Sequence, residues 1–111
     1  MEIQDKQVNE VSIVTIKGSI DALTAPQISE HIDGLITNGN IKLVCDFSGV
    51  DYTSSAGLRV LLGAVKETRS KGGDLYLSNI QPDVEKVLKL SGFTSILKIF
   101  PDVDSAVNSF S

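Results

Sequence analysis

The sequence predicts one α/β domain over residues 1–111, built on a mixed five-stranded sheet with about four helices. Three observations lead there. Two alternating β-rich runs near the N-terminus, separated by a short polar turn, read as an antiparallel hairpin. Short apolar runs then alternate with amphipathic stretches, giving the order β-β-α-β-α-β-α-β-α. Pro26, Pro82 and Pro101 stand at helix starts, and Gly39, Gly72 and Gly92 at helix ends. This alternation implies right-handed crossovers and a parallel core, with the hairpin as an antiparallel edge.

Glu2 to Lys6 and Val11 to Lys17 are the hairpin strands, joined by Gln7-Val8-Asn9-Glu10. Val14 and Ile16 are expected to face the core, with Thr15 and Lys17 on the other side. Gly18 ends the hairpin, and Ser19-Ile20-Asp21 leads into a loop. Thr24 is the expected N-cap of the first helix, and Pro26 is tolerated because it falls in the first turn. Ile28, Ile32, Leu35 and Ile36 mark the apolar face of that helix, and Asn38-Gly39-Asn40 stops it. His31 lies outside this stripe. As the only histidine, with no cysteine nearby, it is expected on the surface rather than as a ligand or catalytic base.

Ile41 to Phe47 is the most apolar strand, which suggests cover on both faces. It contains Cys45, the only cysteine, so no internal disulfide or cysteine metal cluster can form; a buried core thiol is expected. Leu58, Leu61, Leu62 and Val65 have the spacing of a second helix, running to about Lys71 and stopped by Gly72-Gly73. Its outer face carries Arg59, Lys66, Glu67 and Arg69. Asp74 to Ser78 is the fourth strand. Pro82-Asp83 opens a third helix with Val84, Val87 and Leu88, and Gly92 ends it. Ile96 to Phe100 is the fifth strand, and Pro101-Asp102 opens a last helix with Val103, Ala106, Val107 and Phe110.

In such sheets function gathers outside the carboxyl ends of the strands. Two loops fit: the one after the second strand, with Asp21, and the one after the third, Asp51-Tyr52-Thr53-Ser54-Ser55-Ala56-Gly57-Leu58. The hydroxyls of Thr53, Ser54 and Ser55 read first as helix caps, because a side-chain oxygen accepts an orphan backbone N–H. Capping needs only one of them. Ala56 and Gly57 leave the first turn open to an approaching partner, although glycine costs a helix roughly 1 kcal/mol in an exposed interior. A helix N-terminus offers free N–H groups and a positive dipole end, which suits an anion such as a phosphate on serine. The residues therefore support capping and a modification or docking site alike.

Composition narrows the other classes. An apolar content of 41% and a charged content of 22% are those of an ordinary globular protein. The net charge of −4, with no basic cluster, argues against a nucleic-acid footprint. No run approaches the ~18 apolar residues of a membrane span. Met1-Glu2-Ile3-Gln4-Asp5 is acidic, so no leader peptide is expected and a cytoplasmic location is. A Ser55–His31 nucleophile pair has no support, since His31 is on a different helix, and no phosphate-cradling glycine run is present. Asp21, Asp46 and Asp51 could surround a metal ion, but scattered loop aspartates more often form turns and caps, so no metal is expected.

Gly18-Ser19-Ile20-Asp21 after the hairpin, together with Asp51-Tyr52-Thr53-Ser54-Ser55-Ala56-Gly57-Leu58, resembles the anti-sigma factor antagonist family, the bacterial STAS domains. The similarity covers essentially the whole chain, through the element order, the Gly72-Gly73 stop and Ser91-Gly92-Phe93. It implies a STAS fold and a binding switch rather than an enzyme. In the family the unphosphorylated protein binds an anti-sigma factor that is also a serine kinase, which frees the sigma factor and regulates transcription. The kinase phosphorylates a serine at the start of the second helix, ending the association, and a serine phosphatase restores it. By position relative to Gly57 and Leu58 that serine matches Ser55, and Asp21 matches the acidic residue of the loop beside it. The expected partner-binding residues are Asp21, Thr53, Ser54, Ser55, Ala56, Gly57 and Arg59, and a monomer is the expected state. Many members carry Asp directly before the phosphorylated serine, where this chain has Ser54, a variant that also occurs. Ser54 and Thr53 therefore stay as alternative acceptors. The other role open to such a domain is a non-phosphorylated adaptor in a stressosome-like or membrane-transport complex, in which the same loops would dock constantly.

A response-regulator receiver is the rival fold of this size. It needs paired acidic residues closing the first strand, and neither Lys6 nor Lys17 is preceded by such a pair.

Overall fold

The computed structural model describes residues 1–111, with β1 at Glu2–Val8, β2 at Val11–Lys17 and α1 at Ala25–Thr37. β3 follows at Lys42–Gly49, α2 at Ser55–Ser70, β4 at Asp74–Ser78, α3 at Pro82–Leu90, β5 at Lys98–Phe100 and α4 at Val103–Asn108. The strands lie in the order β1-β2-β3-β4-β5, with β1 antiparallel to β2 and every other neighbour parallel. This is the predicted mixed sheet with its antiparallel edge.

Two apolar layers sandwich the sheet. On one face α1, α2 and α3 pack Ile28, Ile32, Leu61, Val65 and Leu88 onto Val14, Ile16, Leu43, Cys45, Leu75 and Leu77. On the other, α4 lays Ala106 and Val107 over Val11, Ile13, Val44 and Tyr76. Strands β2 to β4 are thus apolar on both faces over their first halves, which explains the near-continuous apolar run at β3. Val14 and Ile16 face the main core as expected; Lys17 is exposed and Thr15 half-buried. α4 has only 6 residues, and its N-cap Asp102 accepts a 2.7 Å hydrogen bond from the Ser105 N–H.

Several boundaries differ from the sequence reading for identifiable reasons. β1 continues past Lys6 to Val8, because Gln7 and Val8 pair with Ser12 and Val11, and Gln7 Nε2 donates to Ser12 Oγ. The turn is therefore Asn9-Glu10 alone, with Asn9 at φ 57° supplying the left-handed residue of a tight reversal. β5 starts at Lys98 rather than Ile96. After Gly92 (φ 76°), Phe93–Ser95 form a 3-10 turn, and Phe93 O accepts from the N–H groups of Ile96 and Leu97 at 3.0 and 2.8 Å. That turn tucks Leu97 into the core and leaves Ile96 outside the ladder.

α2 ends as its glycines direct. Gly72 takes φ 89°, and the Gly73 N–H returns to Thr68 O at 2.8 Å. Gly73 is packed against the Ile41 backbone, where a Cβ would lie 2.6 Å from the Ile41 carbonyl carbon.

Candidate functional site

Beyond the regular β2–β3 pairing the two chains separate at a register shift after Thr15 and then rejoin. Gly18 N–H donates to Gly49 O at 2.9 Å, Ile20 N–H to Tyr52 O at 2.8 Å, and Ser54 N–H to Ile20 O at 2.8 Å. Ile20 and Thr53 form a parallel bridge, and Ser19 Oγ donates to Asp51 Oδ1 at 2.8 Å. The loop carrying Asp21 and the loop leading to Ser55 are thereby one hydrogen-bonded unit. The sequence put both at the carboxyl edge of the sheet; the structure joins them.

Ile20 and Thr53 are 1% and 2% exposed, and both press against Gly57 in the first turn of α2. A Cβ there would lie 2.6 Å from Ile20 Cγ2 and would also collide with Thr53 Oγ1. The space expected beside Gly57 for a partner is thus filled by the protein's own loops. Gly57 lets helix and loops meet, whereas Ala56 is half-buried, packed against the edge of the core and lining the α1–α2 side.

None of the three hydroxyls caps α2. Thr53 Oγ1 is buried and donates a long 3.3 Å bond to Ser54 O. Ser54 occupies the N-cap position in extended backbone, but it makes no cap bond and its Oγ is buried without a partner. Ser55 is the first helical residue and is exposed. The first turn of α2, like that of α1, carries no acidic side chain, whereas α3 has Asp83 and Glu85 there and α4 has Asp104. The positive end of the α2 dipole is left without a carboxylate in its first turn, next to an exposed hydroxyl.

Asp21 organises the neighbouring loop. Its Oδ1 accepts from the N–H groups of Leu23 and Thr24 at 2.9 and 3.0 Å, while Thr24 Oγ1 accepts from Asp21 N–H at 2.9 Å and donates to Ser19 O at 2.9 Å. The backbone N–H groups of Thr24 and then Leu23 hold the Asp21 carboxyl below its ordinary value of 3.8. Thr24 itself has helical backbone and no capping bond. Asp21 instead closes the turn that leads into α1, because a carboxylate three residues before Thr24 reaches two donors at once, while α1 itself starts without a side-chain cap.

The sequence reading missed Leu23 and Tyr52, which are 84% and 51% exposed on these two joined loops. The available signal was that each is a large apolar side chain between turn residues, outside any helical or strand period. Between them α1 and α2 form a groove of about 640 Å³, lined by Ala25, Pro26, Ala56, Val60 and Gly63, with Asp33, Arg59 and Glu67 as its charged residues.

The remaining candidates lie apart from this unit. His31 is half-buried rather than free on the surface; its Nε2 is 3.0 Å from Asp5 Oδ1 and ties α1 to β1. Cys45 is fully buried, and burial, with the charge of Asp46 second, pushes its thiol up to about 12. Asp46 accepts from Ser48 N–H at 3.0 Å and Asn79 Nδ2 at 3.2 Å. Asp21, Asp46 and Asp51 thus serve separate hydrogen bonds and do not converge. No helix is long and apolar enough to cross a membrane.

The sequence profile of the STAS domain matches residues 2–106. The chain is 30% identical over 110 residues to a Bordetella bronchiseptica protein assigned as an anti-sigma factor antagonist, BtrV, covering 99% of this chain and 95% of that one. It is 29% identical over 99 residues to the anti-sigma-B factor antagonist of Listeria monocytogenes, covering 89% and 86% respectively. The crystal structure of a Thermotoga maritima protein assigned as an anti-sigma factor antagonist superposes with a TM-score of 0.91 at 25% identity, over 96% of this chain and 92% of that one.

Proposed function

This chain belongs to the STAS domain family, and on that footing we propose that it is a bacterial, cytoplasmic anti-sigma factor antagonist switched by phosphorylation of Ser55. Unphosphorylated, it binds as a monomer to an anti-sigma factor that is also a serine kinase, and so releases a sigma factor. Asp21, Ser54, Ser55, Ala56 and Arg59 form the contact surface, with Thr53 and Gly57 supporting it from beneath. In the switching step the Ser55 Oγ–P bond forms as the bond from the ATP γ-phosphorus to ADP breaks, and the hydroxyl proton passes to a base on the kinase. A serine phosphatase reverses the state by hydrolysis. The protein itself catalyses nothing in this cycle.

The observation that carries this reading is the exposed Ser55 hydroxyl at a helix start without a capping bond or a first-turn acid, on loops locked to the fold. A phosphate there adds about −1.5 to −2 charges. The helix dipole favours an anion at that end by roughly 0.3–1 kcal/mol, so the domain stays folded. In an interface, the same dianion beside loops already bearing Asp21 and Asp51 must be desolvated, which is unfavourable unless its whole charge is offset, and no single side chain of this chain offsets it. The modification therefore ends an association without unfolding the antagonist.

Intact-mass and phosphopeptide mapping of the protein from its host under several growth conditions tests this. A phosphorylated form at Ser55 that varies with conditions is expected. In binding assays with the host's anti-sigma factor, Ser55→Ala binds constitutively and Ser55→Asp binds poorly; equal affinity of the two variants would sink the mechanism.

A further inference from the structure

Ser55 and Arg59 stand four residues apart on α2 and are both exposed. Helical side chains lean toward the N-terminus, so at this spacing an arginine at position 59 can reach back to the turn that Ser55 opens. At this spacing an anion N-terminal to a cation is the favoured order of a helical ion pair. Arg59 is also uncommitted. The chain has two arginines. Arg69 donates to Asp74 Oδ1 at 3.0 Å and to Ile96 O at 2.8 Å, whereas Arg59 enters none of the ion pairs, which join His31–Asp5, Lys42–Glu10, Arg69–Asp74 and Lys89–Glu85. Arg59 instead borders the α1–α2 groove, whose other charged residues are Asp33 and Glu67. It is that groove's one cation.

Resting on the reading of Ser55 as phosphoacceptor, we propose that Arg59 is the intramolecular receptor of the Ser55 phosphate, and that this pairing withdraws the one cation from the α1–α2 groove. Before modification the guanidinium is free at the groove for an acidic side chain of the partner. Afterwards it is held by a dianion fixed one turn away, which offers a guanidinium two oxygens in a matching fork. Asp33 and Glu67 are then left uncompensated. Phosphorylation is read along the helix face as well as at the modified hydroxyl.

The test uses the full chain with phosphoserine installed at position 55 during translation, so that no kinase is involved. Arginine Nε–Hε resonances are followed by NMR, with Arg69 as the internal reference. Phosphate at residue 55 is expected to shift the Arg59 resonance and slow its exchange with water while that of Arg69 stays in place. The phosphorylated chain should also lose about 2–4 °C of Tm on Arg59→Gln beyond what the unphosphorylated chain loses, with part of it restored in Arg59→Lys. An unmoved Arg59 resonance overturns the pairing, as does an equal Tm loss in both states. Absence of phosphate on Ser55 in the host would instead overturn the acceptor assignment, a failure distinct from either of these.

Discussion

Gly57 lies directly against Ile20: a Cβ on the glycine would stand 2.6 Å from Ile20 Cγ2, closer than packed side chains approach. Ile20 in turn holds the α2 entrance through hydrogen bonds on either side of Thr53, from its N–H to Tyr52 O and to its carbonyl from Ser54 N–H, both 2.8 Å. One buried isoleucine thus fixes where the helix begins and where Ser55 emerges. A glycine that weakens the helix locally is what lets the helix dock on the loop that positions it.

Gly57→Ala is therefore destabilising. The helix-propensity gain is outweighed by overpacking against Ile20 and Thr53, for a net loss of about 1–3 kcal/mol in urea unfolding. Gly63→Ala is the control on the same helix. A Cβ there meets nothing within 4 Å, so it should stabilise by up to about 1 kcal/mol.

Ser54→Ala separates capping from position. An N-cap serine is worth about 1 kcal/mol, but Ser54 Oγ makes no cap bond and is buried without a partner. Removing an unsatisfied buried hydroxyl should leave Tm unchanged or raise it. A loss of the size expected for a cap would show that the hydroxyl does cap α2 in solution.

Asp21 should titrate below 3.8, as followed by carboxyl 13C NMR, because the N–H groups of Thr24 and Leu23 stabilise its charged form. The sign of the linkage follows from that depression. Its contribution is fully present above the unfolded value of 3.8 and is lost as pH falls through the lower folded value. Asp21→Asn should flatten this acid-side dependence and loosen the 19–24 loop, seen as faster amide exchange at Leu23 and Thr24.

Cys45 should resist thiol reagents in the native protein at pH 8 and react at once on unfolding, since its thiol is raised to about 12 by burial and then by Asp46. A raised thiol destabilises the fold in alkali. Below the ordinary value of 9.0 both states are protonated, and between 9.0 and about 12 only the unfolded chain ionises. Stability should fall across that window, and Cys45→Ala should remove this part of the fall.

Much of the site was legible because its parts are local in sequence. The hydroxyl cluster before Leu58 and the Gly-x-Ile-Asp run after the hairpin are read from adjacent residues, and strand–helix alternation puts both at the carboxyl edge of the sheet. What each residue does there was less legible. Thr24 and Ser54 have the composition of caps, yet neither makes a capping bond, and before α1 it is Asp21 that ties the preceding turn. Propensity names the residue types suited to a helix end but not which rotamer the surrounding packing allows.

The sequence by itself determined the fold class, the order of elements and most of each helix's apolar face, Leu62 of α2 being the exception that stays outside the core, because these depend on periodicity within one segment. The tertiary structure alone decided that the loop of Asp21 and the loop of Ser55 are one unit. It also decided that the gap at Gly57 is filled from within, and that Arg59 is left free where Arg69 is bound. Each of these is a contact between residues distant in the chain or between side chain and packed backbone. Such contacts are fixed by how the sheet closes on its helices, which no single segment encodes.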